Sequence, residues 1–314
     1  MSESNPATEL LERQQLPSRD AYDLADSPHR FPDGGHYRIE ISGVERLSTL
    51  EELVDEAGRR GIHVHRAIAF VAGSTLIDKG ELRAFAQTAS GAGIEVIAVP
   101  GPRAAWDLGR QATSPEGRVS GGRVRGADNF YFMLRDYLRC IEAGLRGLLV
   151  WDEGMLDVLA RAREAGDIPP DTVFKVSVFA GHGNPAAIRL LERLGADSLN
   201  PLGDLPRPML ASIRGVVRIP LDVYAFVYDS FGGINRFWEA AEIARVAAPC
   251  YFKIEPGESE GSLYGGWTDA AVHAWHVREK VRHAEILAEL VARENDSIRP
   301  SPRGDVARGV PQSA

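Results

Sequence analysis

The chain has 314 residues, of which 44% are hydrophobic and 25% are charged, as expected for one large globular domain with an apolar core. A net charge of −8 excludes the broad positive surface that nucleic-acid binding needs, so nucleic acid is not an expected partner. Two cysteines, Cys140 and Cys250, are too few for a four-thiolate iron–sulfur cluster or a four-cysteine zinc site. No run approaches the roughly 18 apolar residues of a membrane span, and the polar start is unlike an export signal; the sequence therefore predicts a cytoplasmic protein without a membrane partner.

The chain opens with a polar, proline-containing arm over residues 1–35, with a short helix predicted at 7–15. From 36 to 296, eight β-rich runs alternate with amphipathic helical patterns, which is typical of repeated βαβ units. The strands are predicted at 37–42, 64–71, 94–99, 148–151, 174–179, 198–201, 221–226 and 251–255. An open doubly wound sheet usually has fewer strands and a glycine-rich first turn, which is missing here, so the α/β pattern predicts a single-domain (β/α)8 TIM barrel.

Turn and loop signals complete this organisation. The helices are expected to close at Gly61, Gly91, Gly166 and Gly195, because glycine readily adopts the left-handed turn that ends a helix. A long insertion at 100–128 follows the third strand, and loops of this length in a compact domain are usually functional or mobile. Residues 297–314 are polar and contain three prolines, which predicts a disordered tail.

Alternation along the strands predicts which side chains point into the barrel. In the last strand Phe252 and Ile254 share one face, so Lys253 and Glu255 share the other, and the apolar face must meet the helices. The same rule predicts an inward set of charged side chains: Arg38, Glu40, His65, Asp152, Lys175, Asp222, Lys253 and Glu255. A barrel core is ordinarily filled by branched apolar side chains, and an unpaired buried charge costs several kcal/mol, so these charges predict a site.

The inward charges predict an enzyme that acts on a small, polar, anionic substrate by hydrolysis or by C–C or C–N bond cleavage. Glu40, Lys175, Lys253 and Glu255 are the predicted catalytic residues. Within this class two chemistries stay open. A desolvated lysine can form a Schiff base, as in an aldolase or lyase, or a divalent metal can bind the carboxylates, with the candidate ligands Asp152, Asp222 and Glu255. A non-catalytic ligand-binding barrel, in which the charges only pair with each other, is the alternative, and a homo-oligomer is left open.

The loops that follow the strands supply candidate substrate contacts. His182, after the fifth strand, can act as a general acid or base because its ordinary pKa is near neutrality. After the seventh strand, Gly232 and Gly233 precede a helix, where free amide groups suit an anion. The full predicted substrate-binding set is Arg38, His182, Asn200, Asp222, Tyr224, Gly232 and Gly233. Asp204 is expected near the same face, where it is equally able to cap the next helix.

The run from KVSVFAGHGNPAAIRLLERLGADSLNPLGDLPRP to RIPLDVY, with KIEPG closing the last strand, resembles barrel proteins near the collagenase-like peptidase family of unassigned catalytic type. The resemblance covers about residues 173–257 and lies mostly in barrel architecture and in the G-A-D entry to a strand. It implies a barrel and a peptidase or hydrolase activity. Members that use a four-cysteine cluster differ from this chain, which has two cysteines, so neither that cluster nor any catalytic residue is carried over.

Overall fold

The computed structural model describes residues 5–100, 123–265, 269–302 and 308–312. Eight parallel strands close into a barrel in which each strand pairs with its neighbours in chain order, so the predicted (β/α)8 fold is confirmed. The strands are β1 (Tyr37–Val44), β2 (Arg66–Ala69), β3 (Glu95–Ala98), β4 (Gly147–Val150), β5 (Val173–Val176), β6 (Ser198–Leu199), β7 (Leu221–Val227) and β8 (Cys250–Glu255). Each lies within or beside its predicted run.

Ten α-helices are found in the described ranges. They are α1 (Pro6–Arg13), α2 (Leu47–Arg60), α3 (Lys79–Ala92), α4 (Gly126–Glu142), α5 (Glu153–Ala165), α6 (Pro185–Arg193), α7 (Arg207–Arg214), α8 (Ala240–Ala247), α9 (Glu260–Tyr264) and α10 (Ala270–Glu294). None of these helices is long and apolar enough to cross a membrane.

The helices begin and end where local chemistry satisfies their free backbone groups. The side chains of Asp78 and Asn184 cap α3 and α6 by accepting a backbone N–H of the first turn. Gly61 and Gly166 close α2 and α5 in the left-handed conformation, as predicted. The prediction that a helix closes at Gly91 is wrong. Helix α3 continues for about two turns beyond Phe85, with apolar side chains in the core, and closes at Gly93.

Helix α6 ends at the cap residue Leu194, one residue before the predicted Gly195. Gly195 follows with a positive φ of +101°, so the chain turns away from the helix there. An added Cβ on Gly195 would lie 2.6 Å from the Cβ of Ala160 on α5. This glycine therefore both turns the chain and lets α5 and α6 approach each other.

The predicted insertion at 100–128 lies mostly outside the described residues. Its last part differs from the prediction, because helix α4 already begins at Gly126. Met133, Tyr137 and Cys140 form the buried stripe of α4, and this apolar face makes the segment helical.

The prediction of a disordered tail is wrong for residues 297–302 and 308–312. Pro300 bridges to Tyr37, and the Ser301 N–H donates to the Tyr37 carbonyl at 2.9 Å. Ile298 is buried against the core, and the amide of Gln312 donates to Gly144. The tail is ordered there because its backbone completes hydrogen bonds that the amino-terminal end of the barrel leaves free. The predicted unit boundaries at 35 and 296 stay predictions.

Candidate active site

A network of buried ion pairs fills the barrel axis. Lys175 Nζ lies 2.5 and 2.6 Å from the two carboxylate oxygens of Glu40 and 3.2 Å from Asp222 Oδ2. Arg66 binds the same two carboxylates at 3.2 and 3.0 Å and also reaches Glu95 at 2.7 Å. Neighbouring strands bring these residues together, since Glu40 is in register with Arg66 on β2 and Arg66 with Glu95 on β3. We call this set the axial network.

Two side chains that the sequence analysis did not single out complete the axial network. Ser198 donates to Asp222 Oδ2 at 3.1 Å, and Tyr251 donates to Glu95 at 2.9 Å. The guanidinium carbon of Arg66 also lies over the ring of Tyr251, 3.4 Å from its centroid. Tyr251 could be found from sequence, because it shares the inward parity of Lys253 and Glu255 on β8.

The prediction for β2 is wrong. His65 was expected to point inside, which by alternation would also place Ala67 and Ala69 inside, but Arg66 points inside and the alanines pack in the outer core. An arginine on the outer face would be buried among helices without a carboxylate, which costs several kcal/mol. The charge of Arg66, together with that of Glu95 in the next strand, was the sequence signal that could have shown which face of β2 points inward.

Within the axial network, burial and pairing act against each other on each pKa. Burial alone would raise the pKa of Glu40, but Lys175 and Arg66 hold it below its usual value. Burial lowers the pKa of Lys175 and raises that of Asp222, although each faces opposite charges. The network is therefore internally compensated, and every charge in it has a partner.

A second set of polar side chains lies towards the carboxyl-terminal ends of β1, β7 and β8. Lys253 Nζ lies 3.3 Å from Glu255 Oε1 and 3.2 Å from the hydroxyl of Tyr224. The hydroxyl of Tyr264, on α9, donates to the same oxygen of Glu255. We call this set, with Ser42 and Lys280, the upper cluster. Active sites of such barrels lie at the carboxyl-terminal ends of the strands.

Two buried oxygens of the upper cluster have no hydrogen-bond partner in the part of the chain that the structure describes. They are Glu255 Oε2 and Ser42 Oγ. Glu255 is 2% exposed and Ser42 is fully buried, and they lie on the neighbouring strands β8 and β1. Buried polar groups are nearly always paired, so two unpaired oxygens beside a buried ammonium mark a place for a polar ligand.

Cations of the upper cluster respond differently to burial. Burial alone would lower the pKa of Lys253, but Glu255 and Glu40 hold it above its usual value, so the ammonium stays charged. Lys280, on α10, donates to the Ser42 carbonyl at 2.7 Å, and burial lowers its pKa to about 8. Burial and Glu255 raise the pKa of Tyr224 well above 10, so it stays a neutral phenol.

Aromatic rings form a wall beside the upper cluster. The ring of Phe231 lies 6.1 Å from Tyr224 and 5.7 Å from Tyr228, and Tyr228 lies 6.4 Å from Tyr264. Phe179, which follows β5 and is 49% exposed, contacts Phe231 at 5.9 Å. The upper cluster thus combines a polar floor with an apolar wall, which is typical of small-molecule sites.

Arg38 and His65, predicted near the substrate and inside the barrel, lie instead at its amino-terminal end. Arg38 binds Asp33 at 3.0 Å and Ser301 Oγ at 2.9 Å. His65 Nδ1 accepts the Ile39 N–H, so the ring proton is on Nε2, which donates to the Ser301 carbonyl at 3.1 Å. Arm and tail cover this end, which separates both residues from the upper cluster.

The three predicted metal ligands do not come together. Asp152 caps α5 by accepting the Met155 N–H, Asp222 belongs to the axial network and Glu255 to the upper cluster. Asp152 is placed there because it follows β4 directly, where the helix needs an N-cap. Within the described ranges, no group of three histidine, cysteine or carboxylate side chains is arranged to hold a metal ion.

The predicted loop residues have separate surroundings. His182 binds Glu153 at 2.7 Å, and Glu153 also accepts from Arg123 at 2.5 Å. Asn200 is buried and donates to the backbone carbonyl of Asp222, so it fixes β6 against β7. His182 therefore belongs to a charged group between the β4 and β5 loops, and its contact with substrate stays a prediction.

The glycine pair after β7 does not offer free amides. The Gly232 N–H donates to Asp229 and the Gly233 N–H donates to Tyr228, at 3.0 and 3.2 Å. Both glycines have positive φ and close a short 3-10 turn at Asp229–Phe231. The expected anion site is wrong for these two amides, because the turn itself uses them.

A surface groove of about 800 Å3 lies outside the barrel, along α4 and the start of α3. It is lined by Thr75, Lys79, Phe132, Arg135, Asp136, Leu138, Arg139 and Glu142. Its exposed charges include a surface ion pair of Lys79 and Glu142 at 2.6 Å. The upper cluster, with buried and unpaired polar atoms, is the stronger candidate for chemistry.

The chain matches no protein-family model and no curated protein. Solved structures with a similar fold include the U32 peptidase Mk0906, at 18% identity and a TM-score of 0.41 over 74% of this chain and 97% of that one. The putative copper homeostasis protein CutC from Streptococcus agalactiae has 14% identity and a TM-score of 0.45, over 69% and 98%. D-psicose 3-epimerase from Clostridium cellulolyticum H10 has 11% identity and a TM-score of 0.45, over 80% and 99%. At these values the similarity, including that to the peptidase group, concerns the fold alone.

Proposed function

We propose that this barrel is an enzyme that moves a proton beside a carbonyl group of a small, polar, anionic substrate and so cleaves a C–C or C–N bond. The observation that carries the proposal is the environment of Glu255. Lys253 and Tyr264 hold its Oε1, whereas its buried Oε2 has no partner among the described residues. A carboxylate fixed at one oxygen and free at the other is suited to act as a general base.

Lys253 and Tyr224 supply the charge and the donor that such a reaction needs. The ammonium of Lys253 stays protonated, so it can hold a substrate carboxylate or stabilise negative charge that develops on a carbonyl oxygen. The Tyr224 phenol, 3.2 Å from Lys253, can donate a second hydrogen bond to the same oxygen. Fixed donors in a site without water stabilise developing charge better than mobile water does.

In this proposal the axial network supports the site from below. Glu40 is in register with Lys253, and its carboxylate helps to keep that ammonium charged. Lys175 and Arg66 then compensate the charge of Glu40, and both also pair with Asp222. The direct catalytic roles predicted for Glu40 and Lys175 become positioning roles here, because their polar atoms are fully engaged in ion pairs.

The proposal is tested with a panel of small oxo acids, hydroxyaldehydes and amino acids incubated with the protein in heavy water. Nuclear magnetic resonance follows both exchange of the proton beside the carbonyl and formation of cleavage products. We expect wild type to convert at least one compound and Glu255→Gln to lose about 10²-fold or more of the rate. Glu142→Gln, which alters an exposed carboxylate, is the matched control and keeps the wild-type rate.

Equal rates for wild type and Glu255→Gln would reject Glu255 as the base. Binding of panel compounds without exchange or cleavage would favour the non-catalytic ligand-binding barrel. Cleavage of a small ester or amide, assayed alongside the panel and with the same dependence on Glu255, would place the reaction among hydrolyses, since the same base can activate water.

A further inference from the structure

The chain uses lysine sparingly. Of its 36 basic residues only four are lysines, at positions 79, 175, 253 and 280. Lys79 is on the surface, and the other three are buried in or beside the barrel. Arginine serves almost everywhere else as the cation. An amine differs from a guanidinium in that burial can deprotonate it and make it a nucleophile, which arginine cannot become.

Lys280 reaches the upper cluster from outside the barrel wall. Strand β1 has a bulge between Ser42 and Val44, and Nζ of Lys280 donates to the Ser42 carbonyl there. Gly43, inside the bulge, has a φ of +77°, and an added Cβ would lie 2.6 Å from Nζ. The bulge and the missing side chain thus make the space in which this amine lies.

The amine of Lys280 lies close to the proposed base, Glu255. A Cβ added to Gly43 would lie next to Lys280 Nζ and 3.3 Å from the ring of Tyr264, so these two groups are on the same side of the bulge. Tyr264 donates to Glu255, and the unpaired oxygen of Ser42 belongs to the residue whose carbonyl binds Nζ. Amine, phenol and carboxylate are therefore neighbours in one buried location.

The three buried lysines differ in their partners. Lys175 is held by three carboxylate oxygens, and Lys253 is paired with Glu255. Lys280 forms no ion pair with the residues that the structure describes, and burial lowers its pKa to about 8. Its charged and titratable surroundings are Glu45, Lys253, Glu255, Tyr264 and His276. An amine with this pKa is neutral about 10²-fold more often at pH 7 than one with the ordinary value.

We propose that Lys280 is the amine nucleophile of the site and condenses with the carbonyl of a small aldehyde or 2-oxo acid to form an imine. This inference rests on the proposed function and names its substrate class. The neutral amine forms an N–C bond while the carbonyl electron pair moves to oxygen, which takes a proton from Tyr264. The nitrogen then gives a proton to Glu255, which passes it to the hydroxyl oxygen, so the C–O bond breaks and water leaves. The last proton on nitrogen returns to the Tyr264 phenolate, which restores both Tyr264 and Glu255. Amine and carbonyl thus yield imine and water.

The inference is tested by trapping on the full-length protein. Pyruvate, glyoxylate or glycolaldehyde is added with sodium borohydride, which reduces an imine to a stable secondary amine, and peptides are mapped by mass spectrometry. Because the chain has only four lysines, an adduct on each of them can be mapped separately. We expect at least about tenfold more reduced adduct on Lys280 than on the exposed Lys79, which is the internal control.

Two variants accompany the mapping. Lys280→Arg keeps the positive charge but cannot form an imine, so it should lose the adduct and the exchange activity together. Lys79→Arg should keep both. Because the decisive mapping is done on wild type, the test does not depend on the folding of Lys280→Arg.

An adduct on Lys253 or Lys175 instead of Lys280, labelling no stronger than on Lys79, or no adduct with any of the three probes would overturn the inference. Proposed function and inference fail differently. Exchange activity that requires Glu255 but survives Lys280→Arg would reject the imine and keep the base. If exchange activity did not depend on Glu255 but an adduct still formed on Lys280, Glu255 would be rejected as the base and Lys280 would be kept as the nucleophile.

Discussion

Two bases at opposite ends of the barrel show how burial selects the neutral form of a side chain. Burial lowers the pKa of His65 to about 3 at the amino-terminal end and that of Lys280 to about 8 near the carboxyl-terminal end. Each is held by backbone carbonyls, of Ser301 and Ser42, and neither has a close carboxylate partner in the described ranges. A carbonyl alone does not offset the cost of removing a charge from water.

The pKa of Lys280 predicts a specific pH dependence of stability. The folded pKa is below the unfolded value, so the unfolded chain binds more protons between about pH 8 and 10.5, and stability rises with pH there. Relative to Lys280→Met, wild type should gain about 2 kcal/mol between about pH 8 and pH 9.5. Urea unfolding at several pH values measures this, and Lys79→Met corrects for the loss of an ammonium in general. A constant difference between wild type and Lys280→Met would contradict the assignment.

The pKa of His65 predicts a pH dependence of stability in the acid range. Its neutral form is favoured in the folded state, so stability is present above about pH 6.5 and is lost as the pH falls towards 3. The loss should be about 1.4 kcal/mol per pH unit below pH 6.5. In His65→Asn, whose amide oxygen can accept the Ile39 N–H, this part of the slope should vanish. Equal acid slopes in urea unfolding of wild type and variant would show that other groups cause the acid sensitivity.

At the level of elements, strand β1 combines regular pairing with one irregularity. Alternation predicted Arg38 and Glu40 on one face of a strand over 37–42, but the strand continues to Val44 through the bulge at Gly43. The bulge re-aims the end of β1 so that a side chain from α10 can reach it. Helix α10 packs along α2 and β1, which places Lys280 at that opening.

Gly43→Ala and Gly34→Ala separate backbone strain from the loss of space. Both glycines have positive φ, +77° and +86°, but no atom lies within 4 Å of a Cβ on Gly34. Gly34→Ala should cost about 1–2 kcal/mol from backbone strain alone. Gly43→Ala should cost more, because its Cβ displaces Lys280, and it should also lose the borohydride-trapped adduct. Thermal and urea unfolding measure the costs; equal costs, with the adduct kept, would mean that the bulge does not hold the lysine.

Across the whole molecule, the barrel interior holds four buried carboxylates and three buried cations that pair with them. The carboxylates are Glu40, Glu95, Asp222 and Glu255, and the cations are Arg66, Lys175 and Lys253. A core of apolar residues would be at least as stable as buried ion pairs, so the charges cost stability that a function can explain. Because the pairs join residues that are distant in sequence, they form only when the barrel closes.

Removing one member of the axial network should therefore strongly lower the free energy of unfolding. Lys175→Met leaves Glu40 and Asp222 with one cation fewer and should cost about 3–5 kcal/mol in urea unfolding. Adding Glu40→Gln to Lys175→Met should recover part of that loss, which a double-mutant cycle detects. Lys79→Met, the same substitution in an exposed ion pair with Glu142, should cost at most about 1 kcal/mol. Additive effects of the two axial changes would contradict the coupling.

The local sequence pattern was sufficient to predict the barrel and to identify which side chains of β1, β5, β7 and β8 point inward. The two-residue period of a strand is a property of the backbone, so Glu40, Lys175, Asp222 and Lys253 could be assigned to the interior from their apolar neighbours. Alternation gave the wrong face for β2, where both faces are buried and the inward His65 implied that Arg66 points outward. It also failed on Asp152, because a residue just past a strand obeys the needs of the next helix.

Tertiary structure alone decided which of the inward charges meet. Length, composition and alternation determined a single barrel with a charged interior, because these depend on short stretches of chain. The separation of an internally paired axial network from an upper cluster with unpaired oxygens depends on the register between strands. The entry of Lys280 through the β1 bulge and the ordered tail at Ser301 depend on contacts between segments more than 200 residues apart, which local pattern does not encode.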